Sequence, residues 1–151
     1  MSPVLLDTLA LVWLVSGNVR LGVHARSTIH QAAANNLLLV SAITPWEIAM
    51  LVSKGRLTLD RDVDDWVETS LKLPGIRLVP LSPQIAIAST LLPGAIHKDP
   101  ADRIIAATAR RLGATLLTED NFLHPDIAEG TTKIFMVSSG CLLRFTWRHM
   151  E

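Results

Sequence analysis

Four acidic residues, Asp7, Glu47, Asp102 and Asp120, lie far apart in this 151-residue chain. Each stands just past an apolar run or within the first turn of a helical pattern. Carboxylates brought to one place raise each other's pKa, and a hard cation between them removes that penalty. All-oxygen ligation suits Mg²⁺ or Mn²⁺, with water completing the octahedron. Such an ion can activate a water, align it with a phosphate and neutralise charge on the leaving oxygen. Phosphodiester hydrolysis is therefore the chemistry to expect, provided that the fold gathers the four acids.

The elements that must position them are legible as short apolar runs alternating with longer helical patterns. Val4–Leu6 reads as a first strand, followed by a helix near Leu9–Val15. Gly22–Asn35 reads as a second helix and Leu37–Ser41 as a buried strand. The string Thr44-Pro45-Trp46-Glu47 opens a helix running to about Lys54, with Thr44 as the expected N-cap and Pro45 as its first residue. Asp62–Lys72 forms another helix, with Asp64 and Asp65 near its positive end. Strand Arg77–Leu81 follows, then a helix over Pro83–Leu91. Asp99-Pro100-Ala101-Asp102 opens a helix that runs through Arg111 to Gly113, a good C-terminal stop. Ala114–Thr118 is a fourth strand and Lys133–Val137 a fifth. Residues 138–151 form a tail with no clear period, set apart from a domain expected over 1–137.

Strands separated by long helices pair in parallel through right-handed crossovers. The expected architecture is a three-layer α/β/α domain with a central parallel sheet of four to five strands. In such a sheet every strand's C-terminal end lies on one side. Asp7 follows strand one, and Asp120 follows strand four by two residues. Glu47 begins the helix leaving strand two. Asp102 begins the helix that returns antiparallel to strand four. All four should thus reach the rim where α/β sheets bind ligands.

Composition is compatible with this. Hydrophobic residues make up 49% of the chain, and mean hydropathy is +0.34. A sheet covered on both faces uses much of that content, and a dimer or partner interface can use more. Fourteen basic and fourteen acidic residues cancel, which argues against a broad, non-specific nucleic-acid binder but leaves room for a few arginines at a site. The single cysteine, Cys141, cannot form an internal disulfide, so a cytoplasmic setting is expected. No signal-peptide pattern or membrane span is expected.

The strings Leu5-Leu6-Asp7-Thr8, Trp46-Glu47-Ile48-Ala49, Asp99-Pro100-Ala101-Asp102-Arg103-Ile104-Ile105-Ala106 and Leu117-Thr118-Glu119-Asp120 resemble PIN-domain nucleases, and most of all the VapC-type toxins of bacterial toxin–antitoxin pairs. The resemblance runs in order from residue 4 to about residue 137. It implies a Mg²⁺- or Mn²⁺-dependent endoribonuclease whose acidic cluster is Asp7, Glu47, Asp102 and Asp120. Thr118 matches the hydroxyl residue that accompanies the last acid, and Asp99 an additional acid before the third. The resemblance further implies an RNA substrate, a homodimer and a cognate antitoxin protein. Leu9 stands where close relatives often carry His.

Structural roles compete for each acid. Glu47 can be the capping-box partner of Thr44. Asp7 and Asp99 can be helix N-caps, Asp102 a first-turn acid and Asp120 a turn residue. Trp13 and Trp46 can stack on a base or simply pack, and Trp66 reads as core. Arg103 reads as an exposed helix arginine, and Lys54-Gly55-Arg56 as a solvated helix end able to track RNA. The five histidines show no ligand spacing.

Other functions in similar folds fit poorly. A haloacid-dehalogenase-type phosphatase needs a second Asp two residues after the first, where Leu9 stands. A phosphoreceiver domain needs an acidic pair after strand one and an Asp after strand three, where Pro80–Ser82 stand. The remaining alternative is a catalytically silent PIN-like module that binds RNA or protein.

Overall fold

The computed structural model describes residues 1–92 and 99–118, together with the backbone of 133–136 and 144–146. Val4–Leu6 (β1), Leu38–Ser41 (β2), Ile76–Val79 (β3), Thr115–Thr118 (β4), Lys133–Met136 (β5) and Arg144–Thr146 (β6) form one sheet in the order β3-β2-β1-β4-β5-β6. The first five strands are mutually parallel, as the helical crossovers require, and β6 pairs antiparallel with β5. The sixth strand lies in the tail, where the sequence offers no periodicity.

Apolar runs in the central strands feed two cores. Leu6, Leu38, Val40 and Leu117 face one side; Leu5, Leu39 and Leu116 face the other. The first core is covered by Thr8–Ser16 (α1), Val23–Ala34 (α2) and Val63–Leu71 (α4), with Trp66 buried as expected. The second is covered by Pro83–Thr90 (α5) and Pro100–Leu112 (α6), through Ile85, Ile105, Ala106 and Ala109. The result is the three-layer α/β/α arrangement.

The helix Ile43–Ser53 (α3) belongs to neither layer alone. Its Ile43 packs against the second core while Ile48 and Val52 pack against the first. It therefore crosses over the C-terminal edge of the sheet, touching α1, α4 and α6, and carries Glu47 with it.

This helix begins earlier than its sequence predicts. Ala42 occupies the cap position without a side-chain bond, and Ser41 Oγ accepts the Ile43 N–H at 3.2 Å. Thr44 is the second helical residue and is fully buried. Pro45 is the third, still within the turn where a missing N–H costs nothing. Glu47 lies one turn in, so the capping-box explanation for it fails. Arg103 also departs from expectation: its Nε donates to the Ser89 carbonyl at 3.0 Å and ties α6 to α5.

Candidate active site

The chain runs from β1 outward to β2 and β3, then crosses to β4 on the other side of β1. The strand order therefore reverses between β1 and β4, and their carboxyl ends flank the crevice in which such sheets bind ligands. The register pairs Leu6 with Leu117, so the next residues, Asp7 and Thr118, stand side by side. The Asp7 N–H donates to the Leu117 carbonyl at 3.0 Å, and the Thr118 hydroxyl donates to Asp7 Oδ2 at 2.5 Å. Asp7 Oδ1 accepts the Ala10 N–H at 2.7 Å, capping α1. Asp7 is thus an N-cap, as the structural reading allowed, but a buried one whose two oxygens are both oriented by the fold.

A second group of acids gathers nearby on the helices. Glu47, Asp99 and Asp102 each offer a carboxylate oxygen, and these oxygens lie within 4.8 Å of one another. All three residues are partly buried. The α6 opening places two of them: Asp99 is the N-cap, accepting the Ala101 N–H at 2.8 Å, and Asp102 sits in the first turn. The N-terminal end of α6 carries partial positive charge that tempers this acid pair. Glu47 arrives on α3, which packs against α6.

The sequence-derived set is thus only partly regrouped. Glu47 and Asp102 come together as expected, and Asp99, read as an auxiliary acid, joins them. Asp7 is not one of that trio and is held instead with Thr118 at the switch point. Asp120 lies outside the described residues, as do His97, His124, His149 and Cys141. Of the tryptophans, Trp13 is buried in the first core and Trp46 is 52% exposed.

Two further residues lie next to these acids along the chain. The hydroxyls of Thr8 and Thr44 are buried and find no hydrogen-bond partner among the described residues, although buried polar atoms are rarely left unsatisfied. Thr8 adjoins Asp7, and Thr44 precedes Glu47 by three residues, which puts Thr44 and Glu47 on one side of α3. The clue in the sequence was a hydroxyl beside each acid, which the capping role expected of Thr44 concealed.

The donor set fits a hard divalent cation. Three carboxylates within 4.8 Å repel one another in a partly buried setting, and oxygen ligands of this kind match Mg²⁺ or Mn²⁺ in chemistry.

Comparison with known proteins places the chain in a family. The PIN-domain family model matches residues 4–125. Ribonuclease VapC22 of Mycobacterium tuberculosis (strain ATCC 25618 / H37Rv) is 34% identical over 124 residues, covering 82% of this chain and 92% of the relative. Among solved structures, DNA-bound VapBC from Salmonella typhimurium superposes with a TM-score of 0.62 at 17% identity, covering 89% of this chain and 98% of that one. A toxin-antitoxin complex from Klebsiella pneumoniae gives a TM-score of 0.54 at 22% identity, covering 83% and 90%. These last two share the fold. With the family model spanning most of its length and a relative a third identical, the chain belongs to the PIN-domain family.

Proposed function

We propose that this protein is a Mg²⁺- or Mn²⁺-dependent endoribonuclease, acting as the toxin of a toxin–antitoxin pair. The observation that carries the reading is the convergence of Glu47, Asp99 and Asp102 beside the rim that holds Asp7 and Thr118. Kinship with Ribonuclease VapC22 supports RNA as the substrate, and the fold shared with a toxin-antitoxin complex supports an antitoxin protein as the partner. The protein works in the cytoplasm as a homodimer, in which exposed apolar side chains such as Trp46 and Ile87 find cover. No helix among the described residues is long and apolar enough to cross a membrane. Retention of a full acidic group favours a working enzyme over a silent binding module.

In this reading Asp7, Glu47, Asp102 and Asp120 hold the ion, with Asp99 as a further oxygen donor. When bound, the ion supplies Lewis-acid polarisation of the phosphate and a water acidic enough to react near neutral pH. The chain's own contribution is orientation. The Ala10 N–H and the Thr118 hydroxyl fix both oxygens of Asp7, so its carboxylate does not have to reorganise during reaction. The rim around it aligns the RNA strand.

Incubating the purified protein with total bacterial RNA tests this. Cleavage should need Mg²⁺ or Mn²⁺, stop in EDTA and be absent from Asp7→Asn. Equal cleavage by Asp7→Asn, or in EDTA, contradicts it.

A further inference from the structure

A cavity of about 730 Å³ opens along α1, between that helix and the segment joining α3 to α4. Its volume falls within the roughly 300–1,000 Å³ of small-molecule sites. Leu9, Trp13 and Ser16 line it; spaced i, i+4 and i+7, they occupy one face of the helix. Leu9 lies in the first turn of α1, the helix that Asp7 caps. From Leu9 to Ser16 it follows α1 for roughly 10 Å, at the helical rise of about 1.5 Å per residue.

Its walls differ in character. Leu9, Trp13 and Trp66 form an apolar floor, while Arg20 and Arg56 stand at the rim. The Arg20 guanidinium lies over the Trp13 ring, 5.8 Å from its centroid, a cation–π contact that holds it at the mouth of the cavity. Among the described residues no carboxylate comes within ion-pairing distance of Arg20 or Arg56. Asp60, the acid in the lining, is paired with Arg61 at 3.4 Å. In a chain whose charges balance, two guanidinium groups without a carboxylate partner among the described residues, at the mouth of an apolar-floored cavity, suit a ligand with an aromatic body and an anionic edge. A nucleotide has that form: the base meets the apolar lining, and the flanking phosphates meet the arginines.

We propose that this cavity is a nucleotide subsite along α1 that receives a base of the RNA strand and contributes to choice of RNA. The proposal rests on the ribonuclease reading and adds to it where substrate selectivity resides.

The test measures equilibrium binding of a fluorescein-labelled, mixed-sequence single-stranded 10-nucleotide RNA by anisotropy in Ca²⁺, with Mn²⁺ affinity and RNA cleavage measured in parallel. Arg20→Gln/Arg56→Gln removes the rim charge from exposed positions. Thr58→Trp fills the cavity from its exposed lip and leaves the charge intact. The double variant should bind about tenfold more weakly, with a salt slope reduced by about 0.7 per arginine. Thr58→Trp should also weaken binding about tenfold, the lower range for loss of one stacked base. Both should bind Mn²⁺ as the unmodified protein does. If that protein cuts RNA and both variants bind RNA with its affinity, the subsite is overturned alone. An unmodified protein that neither binds nor cuts RNA overturns the ribonuclease reading, and the subsite with it.

Discussion

The Thr118 hydroxyl donates to the Asp7 carboxylate across the junction between β4 and β1, where the strand order reverses. The bond joins residues 111 apart in sequence and follows from the parallel register one step beyond Leu6 and Leu117. It converts a strand-end Asp into an oriented one, because Ala10 already fixes the other oxygen.

Thr118→Val keeps the shape of this buried side chain and removes the donor. Stability should fall by about 1.5–3 kcal/mol, the range for a hydrogen bond to a charged group. RNA cleavage should fall by about tenfold to a hundredfold, because the carboxylate loses its orientation. Urea unfolding and single-turnover cleavage measure the two effects separately. Unchanged cleavage would mean that Asp7 needs no such restraint.

Removing the ion exposes a conflict within the acidic trio. With EDTA present, Asp102→Asn should be at least as stable as the unmodified protein, and more stable by roughly 0.5–2 kcal/mol if repulsion is fully relieved. The unmodified protein alone should gain about 2.7 kcal/mol when Mn²⁺ is raised to a hundred times its dissociation constant. Thermal melts with and without Mn²⁺ give both numbers. A large loss of stability in metal-free Asp102→Asn would show that the carboxylate serves the fold.

Thr44→Val tests the orphaned hydroxyl on α3. Replacing a buried hydroxyl that has no partner among the described residues with a methyl group should be neutral or stabilising by up to about 1 kcal/mol. Denaturant unfolding reads this directly, and a clear loss would reveal a bond to that hydroxyl.

Two glycines separate conformational strain from crowding. Gly113 ends α6 with φ near 59°, and an added Cβ would meet nothing within 4 Å. Gly113→Ala should therefore cost about 1 kcal/mol, the penalty for a left-handed backbone. Gly75 has φ near 85°, and its Cβ would lie 2.2 Å from the Ala33 carbonyl oxygen on α2. Gly75→Ala adds a backbone clash and should cost roughly 2–4 kcal/mol. Equal losses in urea unfolding would contradict that close approach.

The sheet was readable because every crossover is long enough to force parallel pairing, and the buried strands are short apolar runs. The rim positions of Asp7, Glu47 and Asp102 followed from topology alone. The start of α3 was not readable: Ser41 Oγ meets the Ile43 N–H, while Thr44-Pro45 carries the stronger local capping signal. Asp99 was readable both as a cap and as an auxiliary acid, and its proximity to Glu47 and Asp102 appears only in the fold. The arginine-rimmed cavity was hidden because it unites residues from α1 with a segment some forty positions later. Strand β6 was hidden because three residues are too few to show alternation.

The central claim is that separate carboxylates make one divalent-metal site, and Mn²⁺ titration followed by electron paramagnetic resonance tests it most directly. The unmodified protein should take up Mn²⁺ at defined stoichiometry, with Mg²⁺ competing. Glu47→Gln and Asp102→Asn should each lose that binding while keeping an unaltered circular dichroism spectrum. Undiminished Mn²⁺ binding by both folded variants would contradict the claim.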